Sequence, residues 1–137
     1  MMNMKRDMAF AALFLLGCGA AGAVQLDGRL TGAWATSQAD CQKLFVRGGK
    51  GLAYRQPVDE FAQAAIITPG QVVLPNQTCQ VTGAKRQNGL TTLDFSCRDS
   101  ISYTSQSVEI EVKSPSEMVY RPNGDKTLDT TMVKCGL

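Results

Sequence analysis

The sequence predicts an all-β protein: a small antiparallel β-barrel or barrel-like sandwich of about 8–10 short strands, with one short helix after the first strand and two disulfides. Past Asp27 the chain is a series of short runs rich in β-branched and aromatic residues, separated by Gly, Pro, Asn and Asp. Within that region no apolar repeat of period 3.6 is long enough for a substantial helix. Four of the five cysteines, Cys41, Cys79, Cys97 and Cys135, also lie there, spaced by 38, 18 and 38 residues and without a CxxC element.

The N-terminus reads as an export signal. Lys5 and Arg6 precede an apolar run from Met8 to Leu16, and small residues follow to Ala23. Two processing routes fit it. Ala21-Gly22-Ala23 matches the small-x-small pattern of signal peptidase cleavage, giving a signal peptide of residues 1–23 and a single domain of residues 24–137 that begins at Val24. Leu15-Leu16-Gly17-Cys18 also resembles the bacterial lipobox, whose cysteine becomes an acylated membrane anchor. The first route predicts a periplasmic or secreted protein, the second a lipoprotein of the cell envelope. Either removes Cys18 from the thiol pool, leaving four cysteines where disulfides persist.

The expected strands are Leu30 to Thr36, Leu44 to Arg47, Leu52 to Arg55, Ala64 to Thr68, Gln71 to Leu74, Thr78 to Arg86, Leu90 to Arg98, Ser105 to Lys113, Met118 to Arg121 and Leu128 to Cys135. "SQADCQKLF" is the one helix, capped by Thr36 or Ser37. In "LFVRGGKGLAYR" a turn at Gly48 to Gly51 sets Phe45 opposite Tyr54. In "SVEIEVK", Val108, Ile110 and Val112 face the core while Glu109, Glu111 and Lys113 face water.

The sharpest local reading is "CQVTGAKRQNGLTTLDFSC". A three-residue loop Gln87-Asn88-Gly89, with Gly89 left-handed, sets Arg86 opposite Leu90 and Cys79 opposite Cys97. Cys79, Val81, Leu93, Phe95 and Cys97 then share one face, and Gln80, Thr82, Arg86, Thr92, Asp94 and Ser96 the other. Cys41 is left to pair with Cys135, although the two other connectivities stay open on sequence alone.

Composition excludes more chemistry than it suggests. The chain contains no histidine, so it lacks the commonest general base and the commonest metal ligand. With the cysteines oxidised, no thiolate zinc site is expected, and neither a catalytic residue nor a cofactor is assigned. "RGGKG" has Gly51 where a phosphate-binding loop needs Ser or Thr, and reads as a hairpin tip. Asp59 and Glu60, adjacent on an extended segment, point apart instead of converging on a substrate. The formal charge is +2 and falls to +1 once Lys5, Arg6 and Asp7 are removed. This near-neutral balance offers nucleic acid nothing, and a membrane is a partner only if Cys18 is acylated. Lys43, Arg47, Lys50 and Arg55 crowd the first hairpin and suit an acidic partner surface. Asn76-Gln77-Thr78 matches the glycosylation sequon.

"LTGAWATSQADC" carries Gly32-x-Trp34 on the first strand. This resembles the Gly-x-Trp signature of lipocalins and other calycins, in which the tryptophan closes one end of the barrel, and also the start of the small periplasmic metalloprotease inhibitors. With Cys41 seven residues after Trp34, the "KLFVR" strand and a C-terminal cysteine, the whole arrangement is most similar to uncharacterised small secreted bacterial proteins with Gly-x-Trp and four cysteines. That likeness implies a fold and export. The expectation is a non-enzymatic binding module, protein-binding or inhibitor-like, whose partner is an envelope protein; a lipocalin-like carrier of a small apolar ligand is the alternative. Trp34, Arg47, Lys50 and Arg55 are the expected contact residues, and a core anchor is the competing role for Trp34.

Overall fold

Turn chemistry sets the path of the chain. The computed structural model describes residue 24 and residues 26–137; the segment expected to be an export signal, with Cys18, lies outside them. A 3-10 turn (Gly28–Leu30) leads into β1 (Gly32–Ala35), the helix α1 (Gln38–Leu44), and the hairpin strands β2 (Phe45–Gly48) and β3 (Gly51–Tyr54). A seven-strand meander follows: β4 (Ala64–Thr68), β5 (Gln71–Leu74), β6 (Gln77–Gln87), β7 (Leu90–Arg98), β8 (Tyr103–Ser114), β9 (Glu117–Pro122) and β10 (Thr130–Lys134). β1 pairs with both β10 and β4, so eight antiparallel strands close into a barrel, in the order β1-β10-β9-β8-β7-β6-β5-β4, and β2-β3 form a separate two-stranded sheet.

The helix begins where the sequence places it: the Ser37 hydroxyl accepts a hydrogen bond from the Asp40 backbone N–H. Phe45 lies opposite Tyr54, with ring centroids 5.2 Å apart. Both disulfides form as expected, Cys41 with Cys135 and Cys79 with Cys97. Three strand starts are corrected: Leu30 belongs to the 3-10 turn before β1, Leu44 to the last turn of α1, and Leu128 to another 3-10 turn (Lys126–Leu128) before β10.

The β6–β7 hairpin reaches the expected cysteine pairing by a different route. Its loop is two residues, Asn88 and Gly89, both with positive φ (53° and 78°), and Gln87 rather than Arg86 faces Leu90. An extra residue in β6, Thr82, bulges between Val81 and Gly83. The shorter loop and the longer strand cancel, so Cys79 still meets Cys97. Between bulge and tip the faces are exchanged, and Arg86 lies opposite Thr91 on the face of Leu93, where beyond the core its side chain is still exposed.

Two cores result. Inside the barrel, Trp34, Ile67, Val72, Leu93, Phe95, Val108, Ile110, Met118 and Met132 pack around the Cys79–Cys97 bridge, as a barrel of eight strands has room for little beyond its own side chains. Outside it, α1 and the β2–β3 hairpin cover the backs of β1 and β4. Cys41 and Phe45 pack there on Ala33, Ala35, Ala64 and Ile66. Burial on both faces explains why β4 reads AAII without the alternation seen in β8.

Candidate functional site

The barrel has one closed end and one open end. At the closed end Leu26 and Leu30 are buried over the interior. The indole Nε1 of Trp34, fully buried, donates to the Leu30 carbonyl oxygen at 2.8 Å. The Lys134 ammonium lies 5.5 Å from the centre of the Trp34 ring and donates to the Arg29 carbonyl oxygen at 3.0 Å. Gly32 has φ +136°, and a Cβ there would stand 2.9 Å from Lys134 Cε, so the Gly-x-Trp pattern reflects both backbone conformation and space. Asp27 accepts from Arg29 Nε and Nη2 and lies 3.5 Å from Arg86 Nη1. The hydrogen bond from Arg29 pulls the Asp27 carboxyl down to about 2.

The other end is formed by the segments β3–β4 (55–63), β5–β6 (75–76), β7–β8 (99–102) and β9–β10 (123–129). Here large apolar side chains stand in water: Phe61 is 95% exposed, Ile101 93%, Tyr103 70% and Leu128 53%. Leu128 borders a cleft of about 300 Å³, with Ala65, Leu74, Tyr120 and Met132 among its other walls and Glu60 the one charged residue lining it; Tyr103 stands instead beside Thr78, Gln80, Ser96 and Arg98. Burial pushes the Tyr120 hydroxyl further above its ordinary range, leaving a donor in an apolar wall.

These loops are held by short-range polar bonds. Asp59 accepts from the Phe61 backbone N–H, Asp99 from those of Ile101 and Ser102, and Asp125 from that of Thr127. Arg121, buried on the outer wall, donates to both carboxylate oxygens of Asp129 (2.7 and 2.9 Å) and to Glu109 (3.2 Å). That bidentate pair ties the segment carrying Leu128 to β9 and holds the Asp129 carboxyl below its usual range.

The residues expected to make contacts are not brought together. Trp34 is inside the barrel, where it is a core anchor. Arg47 and Arg55 lie on the β2–β3 hairpin unit and donate to the Leu137 and Gln42 carbonyl oxygens, and Lys50 is exposed at the turn. A wider groove beside β3, lined by Gln56, Gln71, Gln77 and Thr78 among others, is more polar and more open. Asn76 is exposed on the rim of the cleft. The open end is the feature that sequence reasoning missed. Its one trace is a single bulky apolar residue inside otherwise polar turn segments, as in "VDEFAQ", "RDSISYT" and "GDKTLD". Comparison with protein families, curated proteins and solved structures finds no match to this chain.

Proposed function

We propose that this protein is an exported, non-enzymatic binding module that holds a partner protein of the cell envelope at the open end of its barrel. The observation that carries this reading is the exposure of Phe61, Ile101 and Leu128 on the loops of that end, with Leu128 on the wall of an apolar cleft. Water-exposed apolar groups gathered on one surface favour association. The filled interior favours a surface over a central cavity, and the absence of histidine from the sequence argues against acid–base catalysis. The two disulfides are compatible with an oxidising compartment. With the signal read in residues 1–23, they support the periplasm or the secreted fraction. Mass spectrometry of protein from its host is expected to find Val24 at the N-terminus; an acylated Cys18 would place the module on a membrane.

The test is capture from periplasmic extract by the wild type and by Phe61→Ser and Ile101→Ser. Proteins retained by the wild type and lost from variants of unchanged urea midpoint support the reading. Equal capture by all three overturns it. A second reading rests on the cleft itself, whose volume and apolar walls suit a small apolar ligand. Saturable quenching of Trp34 fluorescence by an apolar probe at micromolar concentration would favour that carrier role.

A further inference from the structure

The cleft is the place where the barrel interior reaches the surface. Its walls Ala65, Leu74, Tyr120 and Met132 also belong to the inner core or pack against it, and Ala65 lies opposite Trp34. Its rim is exposed and polar, with Glu60, Gln63 and Asn76, and no Lys or Arg lines it. Tyr54 and Tyr120 are both half-buried, and they differ in what their hydroxyls meet. That of Tyr54 donates to the Val73 carbonyl oxygen at 2.9 Å, as a buried phenol is expected to do. That of Tyr120 makes no hydrogen bond among the described residues, and burial alone raises it. No sealed side-chain polar atom is left without a partner, so this hydroxyl is open to the cleft that its ring lines. The Thr130 hydroxyl, opposite Tyr120, is turned to the Leu128 carbonyl oxygen (3.4 Å). Tyr120 is thus the free donor among the inner walls.

We propose that the cleft holds a small neutral molecule with an apolar body and one acceptor oxygen, such as a ketone or ester carbonyl, to which the Tyr120 hydroxyl donates. This rests on the second reading above, the cleft as a ligand site, and names the chemistry of the ligand. A volume of about 300 Å³ lies at the lower limit for ligand sites, so the molecule is small. The apolar walls favour its body by burial. The hydroxyl fixes its orientation, because a phenol O–H donates more strongly than its oxygen accepts. A hydrocarbon in the same space would displace water from that donor without replacing its bond. An anion finds no cation to pair with, and Glu60, the one charged residue of the lining, opposes it.

The experiment is nitrogen-15 shift mapping of the disulfide-bonded protein with three probes built on one ring: acetophenone, ethylbenzene and benzoate. Acetophenone is expected to shift the signals of Ala65, Tyr120 and Met132 saturably. Tyr120→Phe, with unchanged dispersion, is expected to weaken acetophenone about five-fold, the size of one net hydrogen bond, and to leave ethylbenzene within about two-fold. Benzoate is expected to bind at least about ten-fold more weakly than the ketone. If Tyr120→Phe changes acetophenone and ethylbenzene alike, or if benzoate binds as well as acetophenone, this inference falls and the cleft stands as a ligand site. If none of the three probes shifts the cleft signals saturably, the inference and the carrier reading fall together.

Discussion

Where β1 begins, Leu26 and Leu30 of the 3-10 turn region pack over Trp34, which Lys134 flanks; at the opposite end Phe61, Ile101 and Leu128 face solvent on loops, Leu128 at the edge of a cleft. The same eight strands serve both ends, so the difference comes from the connections. The closed end spends its apolar groups on burial, the dominant favourable contribution to folding. The open end leaves them in water, where they add little to stability and are free for association. Stability and recognition are thus divided between the ends, as in scaffolds that place function on loops over a rigid frame.

Substitution at Trp34 tests this division most severely. Trp34→Ala is expected to cost about 3–5 kcal/mol in urea unfolding, through lost burial, a cavity and the orphaned Leu30 carbonyl. Leu128→Ala, at the open rim, is expected to stay within about 0.5 kcal/mol. Comparable losses at the two sites would break the division.

Each disulfide sits toward one end, Cys135 directly after Lys134 and Cys97 one residue before the end of β7. The Cys41–Cys135 bridge spans 94 residues and the Cys79–Cys97 bridge 18. Loop closure then gives the long bridge an advantage of about 1.4 kcal/mol, to be read as the difference in urea stability between the two Cys→Ala double variants. A greater loss on removing the short bridge would show that packing around Cys79 and Cys97 outweighs chain entropy.

At Gly32, alanine must adopt φ +136° and displace the Lys134 side chain, for an expected loss of about 1–3 kcal/mol. Gly28, with open space around its Cβ position, serves as the control and should be nearly neutral.

A small, pH-dependent effect is expected at Asp27. Its folded carboxyl titrates near 2, below the ordinary 3.8, so the Arg29 and Arg86 pairings contribute fully above about pH 4 and are lost as pH falls toward 2. Relative to the wild type, Asp27→Asn should be less stable at pH 6 by no more than about 1 kcal/mol, and the gap should close by pH 2. A constant gap across that range would remove the ion pairs from the account of the closed end.

Much of the frame was legible because strands with one wet face alternate. Val108 against Glu109 and Ile110 against Glu111 state their own orientation. The double-sided burial of Ala33, Ala35, Ala64 and Ile66 was not legible, since a second layer formed by α1 and a hairpin leaves no period in the strands beneath it. In the β6–β7 hairpin, two misread features offset each other. The Asn88-Gly89 pair favours a two-residue turn, but nothing in "QVTGAK" announces a bulge at Thr82, and only its presence restores the cysteine register. The open end was hidden for another reason. Phe61, Ile101 and Leu128 are isolated in sequence, and only the up-and-down course of the strands puts their loops at one end of the barrel.

Closure has one more consequence, for self-association. Closure pairs most of each barrel strand on both sides, so among the described residues the free edges belong to the two four-residue strands β2 and β3, to Thr82–Gln87 of β6 beyond the reach of β5, and to Tyr103–Gln106 of β8 beyond that of β9. The short β2–β3 ribbon carries Arg47, has Lys50 at its turn and is followed by Arg55, like charges that copies of the chain would have to bring together to pair there. The basic cluster of the first hairpin thereby guards one backbone edge against edge-to-edge aggregation, as Lys85 and Arg86 do on the overhanging part of β6.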